Sequence, residues 1–518
     1  MLKRLLELVT VEETVGAILL FLAVLIIASI RWGNLTFSVK TLNQMIFHAK
    51  VPMDGTDDGI YADWFIHTVP GSFVITFAIG WTLFHLPIEG LNLYLHENLI
   101  TIGIFAVVLA LFYAIYNYQI ISYVFDMVKK SDLYEKYYVD PRYVNITFPD
   151  KKRNLIHLYL ESVETSYMSK ESGGAQKESY MPELEVLAND NINFSHQDKL
   201  GGSYTLEGTQ WTIASMVAQE SGIPLLLPIT AKSYDNDSNF LSGVYTIGEV
   251  LEKNGYVNEV IMGSDSNFAC TSNFYKQHGN YIISDYNTAI KEKRISSDYF
   301  VFWGYEDQKL FKFAKEDITK LAAGDKPFNF VIETIDTHTP DGYVCDCCEH
   351  KYDNQYANVI ACQSKQVNEF INWCKKQSWY ENTTIVITGD HNSMSEKFFK
   401  HLDHDYIRTP YNCIINSPIS SEYCKNRKFS VIDLYPTMLA ALGAKIDGDQ
   451  LGLGVNLFSG KKTLIERFGF KKINQEVKKR SELYRCYLAG EQKYVIKKRK
   501  WHERQKNYKR GCNERRFF

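Results

Sequence analysis

Thr384-Ile385-Val386-Ile387-Thr388-Gly389-Asp390-His391 holds in eight residues the pattern that decides the fold. A short run rich in β-branched residues stops at a glycine and delivers an acid and an imidazole. Three upstream runs end in the same way: residues 155–160 run into Glu161, 257–262 into Gly263-Ser264-Asp265, and 328–335 into Asp336-Thr337-His338. Helical stretches separate these runs from about Asn154 onward, the alternation of a wound α/β sheet. Ligands of open α/β sheets bind beyond the carboxyl ends of the strands, so the four junctions are expected to converge on one rim.

Around this core the chain has 518 residues, 45% hydrophobic and 23% charged, which excludes both a disordered chain and a small disulfide scaffold. A formal net charge of -3 gives it no polycationic character, so nucleic acid is not an expected partner. The last residues, 491–518, are the exception, with eleven Lys and Arg against three Glu. They read as a solvated tail or as a patch drawn to anionic lipid or glycan.

Upstream of the sheet, residues 15–30, 69–86 and 99–116 lack charge for long enough to be expected as three transmembrane helices. The expected organisation is a membrane domain over residues 1–130, a linker over 131–153, an α/β catalytic domain over 154–460 and a basic extension over 461–518. An odd number of spans places the large domain opposite the N-terminus. Lys3 and Arg4 argue for a cytoplasmic N-terminus, whereas Arg31, Lys40 and Lys50 in the next loop argue against it. All ten cysteines lie in the later half, an even number that suits an oxidising compartment, so the domain is expected to be extracytoplasmic. Cys345, Cys347, Cys348 and His350 form the one cluster that could hold zinc instead. Their spacing fits no standard finger, and disulfides are preferred.

The rim offers specific chemistry. Glu161, Asp390 and His391 supply two hard oxygens and a borderline imidazole, a set that suits manganese, zinc or magnesium and leaves coordination positions open. Between the first and last runs lies Gly208-Thr209-Gln210-Trp211-Thr212, followed by a helical-looking stretch, residues 213–220. Thr209 there reads either as a helix cap or, beside a metal and a helix N-terminus, as a nucleophile. Phe274, Tyr275 and His278 are candidate pocket walls, with core packing as the plainer role.

The segments 154–162, 208–212 with Ser221-Gly222-Ile223-Pro224, Thr337-His338-Thr339-Pro340-Asp341-Gly342, and Thr388-Gly389-Asp390-His391 resemble the sulfatase-like branch of the alkaline phosphatase superfamily. Within it the likeness is to the bacterial membrane phosphoglycerol transferases, over roughly residues 150–460, and more distantly to lipoteichoic acid synthases. The resemblance implies Thr209 as nucleophile, Glu161, Asp390, His391 and Thr209 as metal ligands, and His338 as a substrate-contacting or proton-transferring group. It implies a divalent metal, manganese before magnesium or zinc. The implied reaction moves phosphoglycerol from phosphatidylglycerol to a cell-envelope glycan through a threonine-linked intermediate, in a multi-pass protein of the bacterial inner membrane. A phosphoethanolamine transferase or a phosphodiester hydrolase on the same scaffold is the alternative. No cysteine begins the C/S-x-P-x-R motif of true sulfatases, which argues against sulfate hydrolysis. The Trp and Arg of the teichoic acid synthases are absent from 268–271, which argues against polymer synthesis.

Overall fold

The computed structural model describes residues 10–37, 42–52, 58–85, 88–227, 233–235, 238–395, 397–403 and 405–490. The basic tail, Lys3, Arg4 and Lys40 lie outside them. The chain divides into two compact units.

Among the described residues the first unit holds three helices long and apolar enough to cross a membrane, Val11–Phe37, Asp58–Phe84 and Leu99–Asn117. The second begins eleven residues before the stretch expected from hydropathy, because Asp63, Trp64 and His67 join it and Pro70 does not break it. Proline removes a backbone donor from that turn. The hydroxyls of Thr68 and Ser72 donate back to the carbonyls of Trp64 and Thr68, at 2.6 and 2.7 Å, and so are satisfied within the helix. Indole N–H groups pair this helix with the first, Trp32 to Asp63 at 2.6 Å and Trp64 to Ser29 at 3.0 Å. The first and third helices cross at glycines: a Cβ on Gly16 would stand 2.6 Å from Leu99, and one on Gly103 2.7 Å from Leu19. Small residues at a crossing let apolar helices pack backbone to backbone.

The second unit is built on a six-stranded sheet. Its strands are β1 (Asn154–Leu160), β2 (Val257–Met262), β3 (Ile282–Ser284), β4 (Phe328–Glu333), β5 (Thr383–Gly389) and β6 (Asn412–Ile415), in the order β3-β2-β4-β1-β5-β6. All neighbours are parallel except β6, which closes the edge antiparallel to β5. The four runs singled out in the sequence are thus β1, β2, β4 and β5, parallel strands of one sheet. The strands inside the sheet bury both faces, as a parallel sheet requires, and only edge strand β3 leaves Ile282 exposed. Leu155 and Tyr159 face a cluster with Met216, Val217 and Met438, and Ile156, Leu158 and Leu160 face one with Phe311, Ile360 and Val367. Residues 131–153, expected as a linker, bury Tyr134 and Tyr138 in this unit, and residues 461–490 bury Ile473, Val477 and Leu488 there.

Helix Thr212–Ser221 is locked to the sheet by a buried acid. The Tyr159 and Tyr281 hydroxyls donate to Glu220 at 3.1 and 3.3 Å, and burial raises the Glu220 carboxyl to about 7. Between about pH 4.5 and 7 the unfolded chain ionises this group while the native chain keeps its proton. The Glu220 contribution to stability is therefore full below the unfolded value and is lost as pH rises through 7. Glu220→Gln removes the penalty. Melting at pH 5 and pH 8 should show the variant gaining about 3 kcal/mol on the wild type over that interval. An identical pH dependence in both proteins would contradict this.

Candidate active site

Register brings the candidate ligands together. Leu160 pairs with Gly389, so the next residues, Glu161 and Asp390, leave adjacent strands side by side. The approach needs glycine, since a Cβ on Gly389 would lie 1.8 Å from the Val163 carbonyl oxygen. One oxygen each from Glu161 and Asp390 and one nitrogen of His391 all lie within 4.8 Å of one another, and all three residues are buried.

The surrounding backbone fixes each side chain. Asp390 Oδ1 accepts from the Ser162 and His391 backbone N–H groups, both at 2.7 Å. Glu161 Oε1 accepts from the Ser162 hydroxyl at 2.6 Å. His391 Nδ1 lies 2.9 Å from the Asn392 carbonyl, which selects the tautomer with its proton on Nδ1 and leaves the Nε2 lone pair free. That lone pair faces Asp390 Oδ2 at 3.2 Å and Glu161 Oε1 at 3.7 Å. Asp390 Oδ2 is buried and has no hydrogen-bond donor.

Electrostatics follows from this crowding. Burial, reinforced by the Glu161 charge, pushes the Asp390 carboxyl well above the usual carboxylate range. Burial acts on Glu161 in the same direction, but His391, His338 and the Ser162 hydroxyl hold it below that range. Three electron-pair donors aimed at one point, one of them an orphaned buried oxygen, fit a divalent cation.

The hydroxyl delivered to this cluster belongs to Thr212. Its Oγ1 donates to Glu161 Oε2 at 3.1 Å and lies 3.4 Å from His391 Nε2. Thr212 is the first residue of helix Thr212–Ser221, whose free N-terminal amides and dipole favour an anion. The Ser215 hydroxyl, one turn on, donates to the Asp390 carbonyl and ties the helix to the end of β5. Thr209, where the sequence reading expects the nucleophile, is buried in the preceding turn, and its hydroxyl donates to the Leu206 carbonyl at 2.8 Å. The signal was present in the sequence: a helical stretch from 213 makes Thr212 the hydroxyl of its first turn, and Gly208, at φ +77°, shapes the turn before it.

His338 stands on the same rim. It acts on the Glu161 charge, its Nδ1 lies 2.9 Å from the Thr339 carbonyl, and its ring packs 4.9 Å from Trp303. Thr334, and Thr337 of the quoted motif, which the sequence reading gave no role, also support the cluster: Thr334 Oγ1 accepts from the Glu161 N–H at 3.0 Å, and the Thr337 hydroxyl donates to the Glu161 carbonyl at 2.5 Å. Phe274 and Tyr275 are core residues, and His278 is engaged by the Phe240 carbonyl and Glu249.

The cysteines depart from the expected framework. Among the described residues one disulfide forms, Cys348–Cys362, with Cys345 and Cys347 beside it. Cys345, Cys348 and Cys362, the last on helix Gln355–Cys374, come together, and His350 is not among them. Cys270, Cys374 and Cys413 are buried thiols that pack as small apolar side chains.

A family model described as Sulfatase matches residues 153–444. Phosphoglycerol transferase I from Escherichia coli is 30% identical over 334 residues, 62% of this chain and 41% of the relative, and the protein of that name from Shigella boydii matches equally. The chain thus spans about two fifths of the length of these curated relatives. Among solved structures, a member of the alkaline phosphatase superfamily from Vibrio parahaemolyticus is 22% identical, with TM-score 0.45, covering 58% of this chain and 69% of that one. Lipoteichoic acid synthase LtaP from Listeria monocytogenes is 17% identical, with TM-score 0.47, covering 63% and 80%. With the strand order and this match over more than half its length, the chain belongs to the sulfatase family.

Proposed function

We propose that this chain is a membrane-anchored, metal-dependent phosphoglycerol transferase with Thr212 as its nucleophile. The observation that carries the reading is the Thr212 hydroxyl, at a helix N-terminus and in contact with Glu161 and His391. Glu161, Asp390, His391 and Thr212 would hold the cation, manganese by family preference. When bound, it would lower the pKa of the hydroxyl and offset charge on the phosphoryl oxygens.

The chain's own groups divide the remaining work. Thr212 Oγ1 attacks the donor phosphorus in line, forming a Thr–O–P bond as the bond to the lipid oxygen breaks. The Thr212 proton is already directed at Glu161. Helix amides receive the non-bridging oxygens. His338, whose charge acts on Glu161, would supply a proton to departing diacylglycerol. An acceptor hydroxyl then displaces Thr212 and carries phosphoglycerol onto an envelope glycan. The three apolar helices among the described residues would give the enzyme access to a lipid donor.

The alternative headgroup is ethanolammonium, which asks for a carboxylate or an aromatic cage. Of the acids near this rim, Glu306 is already bonded to Lys309 and Tyr299, each at 2.7 Å, and Asp341 lies exposed on its turn. Neutral glycerol is the better match. The full chain in detergent should release diacylglycerol from phosphatidylglycerol at least about tenfold faster than from phosphatidylethanolamine, and should add a phosphoglycerol-sized mass to a glucan. Preferential turnover of phosphatidylethanolamine would overturn the donor.

A further inference from the structure

The segment after the first apolar helix does more than connect. From Asn43 it belongs to the second unit, where helix Leu42–His48 buries Asn43, Gln44, Ile46 and Phe47. Asn43 Nδ2 donates to Glu207 Oε1 at 3.0 Å, and the Phe47 ring packs 5.4 Å from Trp211. Further on, Tyr234 N–H donates to the Lys50 carbonyl at 2.6 Å and Ala269 N–H to the Pro52 carbonyl at 3.1 Å. These contacts fix the ring of His48, which stacks on Phe268 at 6.1 Å and lies 6.4 Å from Trp211.

Two polar atoms in this small space have no partner. His48 Nδ1 and Trp211 Nε1 are both buried without a hydrogen bond. Well over nine in ten buried polar groups are paired, so two orphans on neighbouring rings mark a place where the polypeptide leaves hydrogen bonding to something else. Trp211 immediately precedes Thr212, and the aromatic wall runs on through Phe268, Trp303 and His338, with ring separations of 5.5 and 4.9 Å. The nearby acid, Glu207, is taken by Asn43 and by Lys478 at 3.1 Å. Burial lowers the His48 pKa to about 4, so its ring is neutral at pH 7.

We infer that His48 Nδ1 and Trp211 Nε1 form a subsite for the hydroxyls of a neutral polyol, the glycerol headgroup of the donor lipid. The inference rests on the transferase reading above and adds to it a specificity determinant from outside the sheet domain's own sequence. An aromatic-walled site with one indole donor and one imidazole nitrogen, and with Glu207 already engaged, suits hydroxyls. A sugar hydroxyl of the acceptor has the same chemistry, and the test separates the two sources.

The experiment compares diacylglycerol release from phosphatidylglycerol and from phosphatidylpropanol, whose headgroup lacks both hydroxyls, using the full chain in detergent. The wild type should prefer phosphatidylglycerol by about tenfold or more in kcat/KM. His48→Phe keeps the stacked ring and removes its nitrogens, and should shrink that preference to about twofold, chiefly through KM. His48→Asn should restore part of it, and Trp211→Phe should shrink it independently, which guards against a variant that merely misfolds. An unchanged preference in His48→Phe overturns the inference. So does a raised KM for the glucan acceptor with donor preference intact, which would assign the hydroxyls to the acceptor. A wild type that turns over neither lipid would instead sink the transferase reading.

Discussion

Thr212→Ala should lower diacylglycerol release from phosphatidylglycerol by about 10,000-fold or more, the scale on which loss of a covalent nucleophile is felt. The hydroxyl it removes is the one that reaches Glu161 and His391. Thr209→Ala, by contrast, should stay within about tenfold of wild type. It loses only a local bond to the Leu206 carbonyl, worth about 1 kcal/mol of stability. Mass spectrometry of enzyme quenched during turnover should find the phosphoglycerol adduct on Thr212. Near-normal turnover by Thr212→Ala with an inactive Thr209→Ala would return the role to Thr209.

The second large effect concerns the cation. Chelation should abolish turnover, manganese should restore it, and Glu161→Gln or Asp390→Asn should each cost about 1,000-fold because no other group can supply the missing donor. Stability separates a ligand from a mere structural acid. A cation at 100 times its Kd stabilises the native wild type by about 2.7 kcal/mol, and Asp390→Asn should lose most of that gain. In chelator the same variant should melt no lower than wild type, because the amide relieves the unpaired crowding of Asp390 against Glu161. Equal stabilisation by manganese in both proteins would place the cation elsewhere.

What the sequence revealed and what it hid have physical causes. Strands ending in acids were legible because a buried parallel strand must be continuously apolar, and Glu161, Asp390 and His391 interrupt that pattern where the strands stop. The apolar helices were legible by composition, but the start of Asp58–Phe84 was not, because side-chain pairs such as Trp32 with Asp63 make polar residues tolerable there. The sequence reading fell on Thr209, one helical turn before Thr212, and helix starts are the least certain boundaries. Counting cysteines suggested pairs, but Cys374 and Cys413 are held apart in the core, and only a folded chain decides which sulfurs meet. The placement of His48 against Trp211 had no local signal at all, since it depends on contacts between segments some 160 residues apart.

The order of the strands also bears on how the protein is made. β1 is the first strand of the sheet to be synthesised, yet its two neighbours are β4 and β5, whose paired residues lie more than 170 and about 230 positions later. A chain leaving the ribosome therefore carries β1 with both edges bare until most of the catalytic unit has emerged, the kind of non-local pairing that slows folding and invites aggregation. The reaction centre is subject to the same delay. Ser162 and Asp390, 228 residues apart, must meet before the cluster exists, so the nascent chain holds no such cluster until Asp390 has emerged.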